Sequence, residues 1–470
     1  MKKTKIVCTL GPASSSKKII SKMYDAGMNV CRINFSHGTH EEHAEKIRII
    51  KEIREERGIP LPILLDTKGP EFRTKTYASG KITLQRGDKF TFTTDDIEGD
   101  NTKVSVSYKQ MPEVMKKGDK IYLNNGLMVF EVDEVIGNDV ITTVIEGGET
   151  SNHKSMYFPD KELKLEFLSE RDKADILFGI EQDVDFIALS FVSCKEDLLT
   201  VREFVKANGG EKIDIIAKIE SRQGVKNLKE IAAVSDGIMI ARGDLGVEIP
   251  YEELPNIQKQ MIDTCRIIGK RCITATEMLE SMIHNPRPTR AEISDVANAV
   301  YDGSSAVMLS GETAAGAYPV EAVRAMAKIV EQAEKNTQYI QKINDDDFII
   351  STTGEALSHS ACTLSRDLKA KAIVVCTTTG KTARMVSRFR PQVPIIGLTT
   401  DEKAFRQLAL SWGVMPVMSD EYSSVDILFY FAKQAAKESG LVKKGDTVVM
   451  TGGTPNGKGG NSSLINVAVL

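Results

Sequence analysis

The alternation of short apolar runs with helical segments is the feature that most limits how this chain can fold. Strands that alternate with helices form βαβ units and a parallel sheet, because a parallel connection needs a long crossover. Eight runs predict a closed (β/α)₈ barrel of the TIM type, with an open sheet as the alternative. The runs are KIVCTL from Lys5, NVCRIN from Asn29, PILLD from Pro62, DFIALSFV from Asp185, IDIIAK from Ile213, DGIMIA from Asp236, RCITAT from Arg271 and SAVMLSG from Ser305.

The interval between the third and fourth runs is far too long for one helical crossover. Residues 70–166 are rich in Thr, Val, Gly and Asp, and alternating segments such as KITLQ, KFTFTT and KIYLNN are separated by Gly-Asp, Asp-Asp and Gly-Asn turns. This pattern predicts a small β-barrel domain inserted into a loop of the main barrel. Because the insertion follows the carboxyl end of a strand, we expect it to overhang that face as a lid.

The C-terminal part of the chain alternates strands and helices again, with strand candidates KAIVVC, PIIGLT, GVMPV, TVVM and LINVAV. This pattern predicts a separate α/β domain with an open sheet. We therefore expect a barrel domain of residues 1–69 and 167–344, a lid domain of residues 70–166, and a C-terminal domain of residues 345–470.

Composition narrows the classes of function. The 470 residues suffice for about three domains, and a net charge of −4 argues mildly against a nucleic-acid binder. No apolar run approaches the roughly 20 residues that span a membrane, and the N-terminal run is too short for a signal peptide. The seven cysteines have no CxxC spacing and predict reduced, mostly buried thiols in a cytoplasmic protein.

The segment from Ile213 to Glu248 reads as strand, helix, strand and carries a charged cluster. Lys218 and Glu220 are two residues apart at the end of the first strand, so their side chains share a side, and Asp244 follows the second strand. The carboxyl ends of parallel strands form the usual site face of α/β folds. A surface ion pair or unrelated loop charges are the alternative interpretation.

Polar residues of both signs follow other barrel strands as well. Such a mixture suits an anionic substrate that is held together with a hard cation such as Mg²⁺. The residues are Arg32 and Asn34 after strand 2, Asp66, Thr67, Lys68, Glu71 and Arg73 after strand 3, Thr276 after strand 7, and the segment LSGETAAG after strand 8.

Two further motifs invite a functional interpretation. His37, His40 and His43 form H-x-x-H-x-x-H. Side chains at this spacing fan out around a helix, and no cysteine or carboxylate set completes a zinc site. We therefore expect His40 and His43 to be solvated.

The turn TTTGKTARM opens a helix whose N–H groups suit a phosphate, although a plain helix cap explains it equally well. With the later loop GGTPNGKGGNSS it hints at a second phosphate site.

Six long motifs follow one another along the chain: MNVCRINFSHGTHEEH, ILLDTKGPEFRT, IIAKIES, SDGIMIARGDLGVEIP, ITATEMLESM and NPRPTRAEISDVANAVYDGSSAVMLSGETAAGAYPVEAV. They closely resemble the pyruvate kinase family, essentially from end to end. The resemblance implies transfer of a phosphoryl group from phosphoenolpyruvate to ADP, giving pyruvate and ATP, the last step of glycolysis. It also implies a barrel A domain, a lid B domain, a C domain with an effector site, and a homotetramer.

The resemblance also implies roles for individual residues. Lys218 is expected to stabilise the transition state, Arg32 to bind the phosphate of phosphoenolpyruvate, and Thr276 to lie on the proton path to the enolate. Gly243, Asp244 and Thr276 are expected to contact substrate, and Glu220 and Asp244 to form a Mg²⁺ or Mn²⁺ site. A K⁺ site is expected at Asn34, Ser36, Asp66 and Thr67, and nucleotide contacts from Asn34, His37, Arg73 and Lys195. An effector site is expected at Thr377, Thr378, Thr379, Gly380, Lys381 and Thr382.

Glu71 indicates whether the protein requires a monovalent cation. Family members with Glu at this position tend to need K⁺, whereas those with Lys tend not to, since a fixed ammonium group can replace the ion. We therefore expect this protein to depend on K⁺.

The chain departs from the family pattern at several positions. Ser193 and Cys194 stand where a basic pair is usual, so that either Lys195 substitutes through a small loop shift or ADP affinity is lower. Leu428 replaces an Arg of the relatives activated by fructose 1,6-bisphosphate, which leaves a sugar monophosphate, AMP or no activator at all. Glu277 replaces a Gln, and Asn124-Asn125-Gly126 replaces Asp-Asp-Gly in the lid.

Two functions from other classes remain open at this point. One is a catalytically weak sensor of phosphorylated metabolites, which the altered nucleotide side favours and the intact Lys218, Glu220 and Asp244 oppose. The other is a barrel aldolase or lyase that handles enolates with Lys218 as base or Schiff-base former.

Overall fold

The N-terminal part of the chain forms the first three parallel strands of a barrel. The computed structural model describes residues 2–159, 161, 167–336, 347–454 and 462–470. Apolar residues at almost every strand position give strands that are buried on both faces. In this part β1 spans Lys5–Thr9, α1 Lys17–Ala26, β2 Val30–Asn34, α2 His40–Arg57 and β3 Ile63–Asp66.

The inserted segment folds into an all-β domain around phenylalanine side chains, as predicted. Phe92 packs edge-on against Phe90 and Phe130 at its centre, with centroid distances of 5.2 and 5.0 Å. Its elements are β4 Phe72–Arg73, β5 Lys81–Leu84, β6 Lys89–Thr93, β7 Lys103–Ser105, α3 Met111–Val114, β8 Lys120–Leu123, β9 Met128–Ile136, β10 Asp139–Glu146, β11 Gly148–Ser151 and β12 Ser155–Tyr157.

Hydrogen bonding in the lid gives a seven-stranded sheet in the order β4-β12-β8-β9-β10-β6-β7 and a separate β5-β11 pair. One isolated antiparallel bridge between Thr74 and Val106 joins the two edges of the larger sheet. The β-barrel predicted for the lid is therefore closed by a single β-bridge between its two edges, not by a continuous ladder of backbone hydrogen bonds.

Five further strands complete the main barrel, with strand order β1-β17-β16-β15-β14-β13-β3-β2 in a closed ring. This confirms the (β/α)₈ barrel and excludes the open sheet. The elements are α4 Glu170–Glu181, β13 Phe186–Leu189, α5 Lys195–Ala207, β14 Asp214–Ile219, α6 Arg222–Lys226, α7 Leu228–Val234, β15 Gly237–Ala241, α8 Arg242–Glu248, α9 Leu254–Ile268, β16 Arg271–Ala275, a 3₁₀ turn Glu280–Ile283, α10 Arg290–Asp302, β17 Ala306–Leu309, α11 Gly311–Ala314 and α12 Pro319–Lys335.

The C-terminal domain is an open five-stranded sheet in the order β20-β19-β18-β21-β22, in which β22 alone is antiparallel. The open α/β sheet predicted for this part is confirmed. The predicted boundary near Asp345 lies outside the described residues. The elements are α13 Thr353–Asp367, β18 Ala372–Cys376, α14 Lys381–Arg388, β19 Ile395–Thr399, α15 Glu402–Leu408, β20 Val414–Met418, α16 Val425–Glu438, β21 Thr447–Gly452 and β22 Leu464–Val469.

The C-terminal domain packs against the amino-terminal end of the barrel strands, away from the lid. Asp185, immediately before β13, has no exposed surface and accepts hydrogen bonds from Arg54 Nη2 at 2.7 Å, Ile63 N at 2.8 Å and Arg406 Nε of α15 at 2.6 Å. Leu410, just after α15, joins the apolar cluster inside the barrel. The contact fixes the bottom of the barrel and leaves its carboxyl-terminal mouth to the lid.

Two expectations from composition can be compared with the fold. All seven cysteines are free thiols, five of them buried, as predicted. Within the described part of the chain, no helix is both long enough and apolar enough to cross a membrane.

We predict that Asp185→Ala destabilises the protein by about 3–5 kcal/mol, because it leaves Arg54 without its carboxylate and the N–H of Ile63 without its acceptor. Arg406 loses one carboxylate and keeps another, Asp183 Oδ2 at 2.7 Å. The matched control is Glu402→Ala, since Glu402 approaches the same Arg406 at 3.9 Å from an 84% exposed position. Thermal unfolding should show a large fall in midpoint for the first variant and almost none for the second. Equal midpoints would contradict the structural role of Asp185.

Candidate active site

The centre of the barrel mouth is a buried carboxylate held between two cations. Asp66, at the end of β3, has no exposed surface. Its Oδ2 lies 2.6 Å from Arg32 Nε of β2, and its Oδ1 lies 3.0 Å from Lys218 Nζ of β14. Ser190, just after β13, accepts a hydrogen bond from Lys218 Nζ at 2.7 Å and so fills the gap between the strands. The strand ends that the sequence marked as polar thus meet at one point.

The surroundings favour the charged forms of Asp66 and Lys218. Burial alone would raise the pKa of Asp66, but Arg32 and Lys218 outweigh it and hold that pKa below its ordinary value. Burial likewise disfavours the ammonium form of Lys218, but Asp66 and Glu220 outweigh it and raise the pKa of Lys218. Lys218 is therefore a fixed cation at neutral pH, able to donate hydrogen bonds but unable to act as a free amine.

Glu220 and Asp244 form the acidic side of the mouth. Glu220 Oε1 lies 3.0 Å from Lys218 Nζ, and its Oε2 accepts the N–H of Phe191 at 2.6 Å. Burial raises the pKa of Glu220 to about 7; Lys218 opposes the rise, and Asp244 and Asp66 add to it. The positive charge of a bound cation would stabilise the ionised form of a carboxylate with such a raised pKa.

The donor set fits a hard divalent cation bound together with substrate. Glu220 and Asp244 supply the carboxylate oxygens that Mg²⁺ prefers, and Mg²⁺ is usually held by one or two carboxylates plus water and phosphate oxygens. Among the described residues, no group of three or more His, Cys, Asp or Glu side chains converges on a metal position. A cation here would therefore take its remaining ligands from substrate and water.

Thr276, after β16, is held in a strained backbone conformation. Its φ is +69°, which is rare for a β-branched residue. Its Oγ1 accepts the N–H of Gly243 at 2.7 Å, and its carbonyl oxygen accepts a hydrogen bond from Arg242 Nη2 at 2.7 Å. Arg242 is anchored in turn by Asp295, 2.8 Å from Nη1. Such strain is retained where surrounding contacts determine the conformation, which is common at functional sites.

The residues expected to bind K⁺ lie beside Asp66. Asn34 and Asp66 are partners in the β2–β3 register, and Asn34 Oδ1 accepts the N–H of Ser36 at 3.1 Å. Thr67 Oγ1 accepts the N–H of Ser190 at 3.3 Å. The structure therefore gathers all four oxygen-bearing residues of the predicted set at the ends of two neighbouring strands.

A cavity of about 590 Å³ lies between the lid and the barrel. Its wall includes Ser193 and Cys194, at the positions where the family resemblance led us to expect a basic pair. The basic side chains of its wall are instead Lys161 from the lid and Arg222 and Lys226 from α6. Glu71, which also lines the cavity, makes a bidentate ion pair with Arg73 at 2.9 Å for each oxygen.

The other two predicted nucleotide residues differ in their placement. His37 is exposed in the loop after β2. Lys195 is not among the residues of the cavity wall; as the first residue of α5 it pairs with Glu230 at 3.1 Å. The expectation that Lys195 takes over from the missing basic residue stays a prediction; in this structure its side chain points toward Glu230 of α7.

The prediction that His40 and His43 are solvated is wrong for His43, which is 2% exposed. His43 packs on Phe35 with ring centroids 4.1 Å apart, and burial lowers its pKa to about 4. His40 is partly exposed, stacks on Phe178 and lies 2.6 Å from Asp175. The helix turns this face toward α4, a tertiary contact that a three-residue spacing does not reveal.

The predicted effector turn opens α14 with Gly380 at φ +74°. Thr382 Oγ1 lies 2.6 Å from Ser462 Oγ, so the turn meets the end of the Gly-rich loop, although residues 455–461 of that loop lie outside the described residues. Leu428 is fully buried in the core of the domain, packed with β18 and β21. Its position is therefore an apolar packing site in this chain.

Sequence reasoning missed three residues of the site. Ser190 lies inside the run DFIALSFV, where a single polar residue near the end of a buried strand was the available signal. Arg242 directly precedes Gly243 and gave a similar signal. Tyr157 comes from the lid, and its hydroxyl donates to Asp244 Oδ1 at 2.9 Å. Nothing in the local sequence of Tyr157 points to that contact.

The chain is similar to known proteins over its whole length. Residues 1–323 match the family model described as pyruvate kinase, barrel domain, and residues 355–468 match the one described as pyruvate kinase, alpha/beta domain. The pyruvate kinase of Clostridium acetobutylicum is 45% identical over 100% of both chains. That of Clostridium perfringens is 45% identical over 99% of both, and that of Geobacillus stearothermophilus is 47% identical over 100% of this chain and 80% of its own.

We predict that Glu277→Gly stabilises the protein by about 0.5–1 kcal/mol, because glycine removes the left-handed strain at the price of some chain entropy. Glu277 has φ +53° and an exposed side chain, so no packing is lost. Glu277→Val, which places a β-branched residue at the same φ, should lower the midpoint of thermal unfolding. A higher midpoint for valine than for glycine would contradict the strain at this position.

Proposed function

The chain belongs to the pyruvate kinase family, and from that premise we propose how its barrel mouth carries out the reaction. The enzyme transfers the phosphoryl group of phosphoenolpyruvate to ADP, giving pyruvate and ATP. The observation that carries the residue assignment is the buried Arg32–Asp66–Lys218 cluster beside Glu220 and Asp244. Phosphoryl transfer depends mainly on positioning and on neutralising charge, and this cluster supplies both.

Lys218 and Arg32 neutralise the transferred group in this proposal. Arg32 presents a planar fork suited to the phosphate of phosphoenolpyruvate, and Lys218 donates to the phosphoryl oxygens as the group moves. Asp66 holds both cations in place before substrate arrives, so that little reorganisation is needed during the reaction.

Glu220 and Asp244 would hold Mg²⁺ or Mn²⁺, and Asn34, Ser36, Asp66 and Thr67 would hold K⁺. When bound, these cations supply charge neutralisation between the two polyanionic substrates. The chain's own contribution is to orient the carboxylates, through the N–H of Phe191 for Glu220 and the hydroxyl of Tyr157 for Asp244.

Thr276 is proposed to lie on the proton path to the enolate that remains after transfer. Its hydroxyl is oriented by the N–H of Gly243, and its backbone is fixed by Arg242. The hydroxyl also donates to the carbonyl oxygen of Ala275 at 2.6 Å, so it would relay a proton from water to the substrate carbon by releasing that carbonyl, without moving its own backbone.

The nucleotide side rests on Arg73 and His37 at the lid edge of the mouth. Arg73 is paired with Glu71 and also donates to the carbonyl oxygen of His153 at 2.6 Å, so nucleotide phosphates would compete with Glu71 for its guanidinium group.

The phosphate turn Thr377–Thr382 is proposed to bind a phosphorylated effector. Assembly as a homotetramer and a cytoplasmic location are proposed from family membership alone.

The two alternative functions are less well supported. A Schiff-base or general-base lysine must be neutral, whereas Asp66 and Glu220 keep Lys218 charged. A sensor without catalysis would have no need for the Arg32–Asp66–Lys218 cluster, which costs burial of three charges. Borohydride trapping with substrate tests the first alternative directly, since a phosphotransferase lysine is not trapped.

We predict that Lys218→Ala lowers turnover by about 10²–10³-fold or more, the scale for loss of one preorganised donor. Pyruvate formation from phosphoenolpyruvate and ADP with saturating Mg²⁺ and K⁺ gives the measurement. Lys229→Ala, which removes an exposed lysine of α7, is the matched control and should retain normal turnover. Near-normal turnover in Lys218→Ala would overturn the assignment.

We predict robust ATP formation with K⁺ and strongly reduced formation without it. Glu71→Lys should weaken the dependence on K⁺, because a fixed ammonium group takes over the electrostatic role of the ion. Glu71→Gln removes the same carboxylate without adding an ammonium group, so it should keep the dependence. Full wild-type activity in buffer free of K⁺ and Na⁺ would refute the inference from Glu71, and folded protein that forms no ATP in either buffer would refute the function.

A further inference from the structure

The lid reaches into the barrel mouth through one buried hydroxyl group. Tyr157 is the last residue of β12, and only 6% of its surface is exposed. Its hydroxyl donates to Asp244 Oδ1 at 2.9 Å, from a position 87 residues earlier in the chain. The strand that carries it is paired on both sides, Met156 with Phe72 of β4 and with Leu123 of β8. The hydroxyl is therefore presented from a rigid part of the lid.

This hydrogen bond is well suited to orient a metal-binding carboxylate. A hydrogen bond from a hydroxyl to a carboxylate is about twice as strong as a neutral one. It occupies Oδ1 of Asp244 and leaves Oδ2 for a cation. A partner that holds a ligating carboxylate in this way fixes its rotamer before the cation arrives. Less side-chain conformational entropy is then lost when the cation binds.

A second lid segment touches the same helix. A Cβ placed on Gly126 would lie 3.3 Å from Val247 Cγ1 of α8, so the lid backbone packs directly on that helix. Asn124 and Asn125 have φ values of +54° and +56°, and Gly126 one of +80°, which makes a tight left-handed turn. Asn tolerates this conformation better than most residues do. The helix that carries Asp244 is thus contacted by the lid at two points.

We propose that Tyr157 is a positioning residue that couples the lid to the divalent-cation site. With the lid against the barrel, its hydroxyl fixes Asp244 for cation binding; with the lid away, Asp244 loses this donor. The coupling is reciprocal, so a cation at Glu220 and Asp244 favours the closed lid. This inference rests on the proposed function, because it takes those two carboxylates as the cation site.

The primary test is the affinity of the substrate-free enzyme for Mn²⁺, measured from the electron paramagnetic resonance of free Mn²⁺. Tyr157→Phe removes only the hydroxyl and should weaken Mn²⁺ binding about 10-fold, the lower end for loss of an outer-shell partner. Tyr108→Phe is the matched control, since Tyr108 is a buried lid tyrosine whose hydroxyl has no hydrogen-bond partner in the structure. It should bind Mn²⁺ as the wild type does.

A second readout follows the lid itself. Hydrogen exchange of the β12 amides should slow in the wild type when Mn²⁺ replaces EDTA, because the cation draws the lid closed. In Tyr157→Phe this Mn²⁺-dependent protection should be largely lost, whereas in Tyr108→Phe it should persist. Exchange in EDTA shows whether either substitution has loosened the lid domain in general.

Three outcomes would overturn the proposal. Unchanged Mn²⁺ affinity in Tyr157→Phe would show that the hydroxyl does not position Asp244, and tighter binding would show that it competes with the cation. Equal weakening in Tyr108→Phe would assign the effect to lid stability. Turnover separates these outcomes from a failure of the proposed function. At saturating Mg²⁺, Tyr157→Phe should recover most of its activity. A wild-type protein that forms no ATP would refute the proposed function, whatever its measured affinity for Mn²⁺.

Discussion

The buried Asp66 carboxylate, held between Arg32 and Lys218, is the interaction on which the rest of the site depends. The three residues come from β2, β3 and β14, which lie within four consecutive strands of the barrel, so their meeting depends on the observed strand order. Taking three charges out of water is costly, and each is compensated by the others rather than by solvent. Loss of Asp66 would leave Arg32 without its carboxylate partner and Lys218 paired with Glu220 alone.

The loops that follow the barrel strands carry strain that the barrel stabilises. Phe191, Thr276 and Glu277 all have positive φ, and all follow strands that end at the mouth. Each is tied by a contact with the site: the N–H of Phe191 to Glu220, and the carbonyl groups of Thr276 and Glu277 to Arg242. Conformations of this kind persist only where surrounding structure determines them. At the opposite end of the strands, the buried Asp185 and its two arginines provide the rigid base.

What the sequence could predict follows from which contacts are local. Strands buried on both faces are apolar along their length, so the eight barrel strands and the polar residues at their ends were readable. Contacts between distant segments were not. The burial of His43 depends on its packing against Phe35 beyond the end of β2, and the direction of Lys195 depends on where α5 begins. Tyr157 contacts Asp244 only because the lid folds back over the mouth, and no spacing rule records that approach.

The balance of charge at the mouth explains why such a site needs cations. Arg32 and Lys218 contribute two positive charges, whereas Asp66, Glu220 and Asp244 contribute three negative ones when all are ionised. Two polyanionic substrates would therefore meet a net negative mouth. Burial is the first cause of the raised pKa of Glu220, and the neighbouring charges of Asp244 and Asp66 raise it further. In the proposed function, a divalent cation at Glu220 and Asp244 would reverse the sign of the mouth, so we expect cation binding to precede or accompany productive binding of the phosphates. A lid residue that positions Asp244 then acts at the step that determines whether the substrates are attracted or repelled.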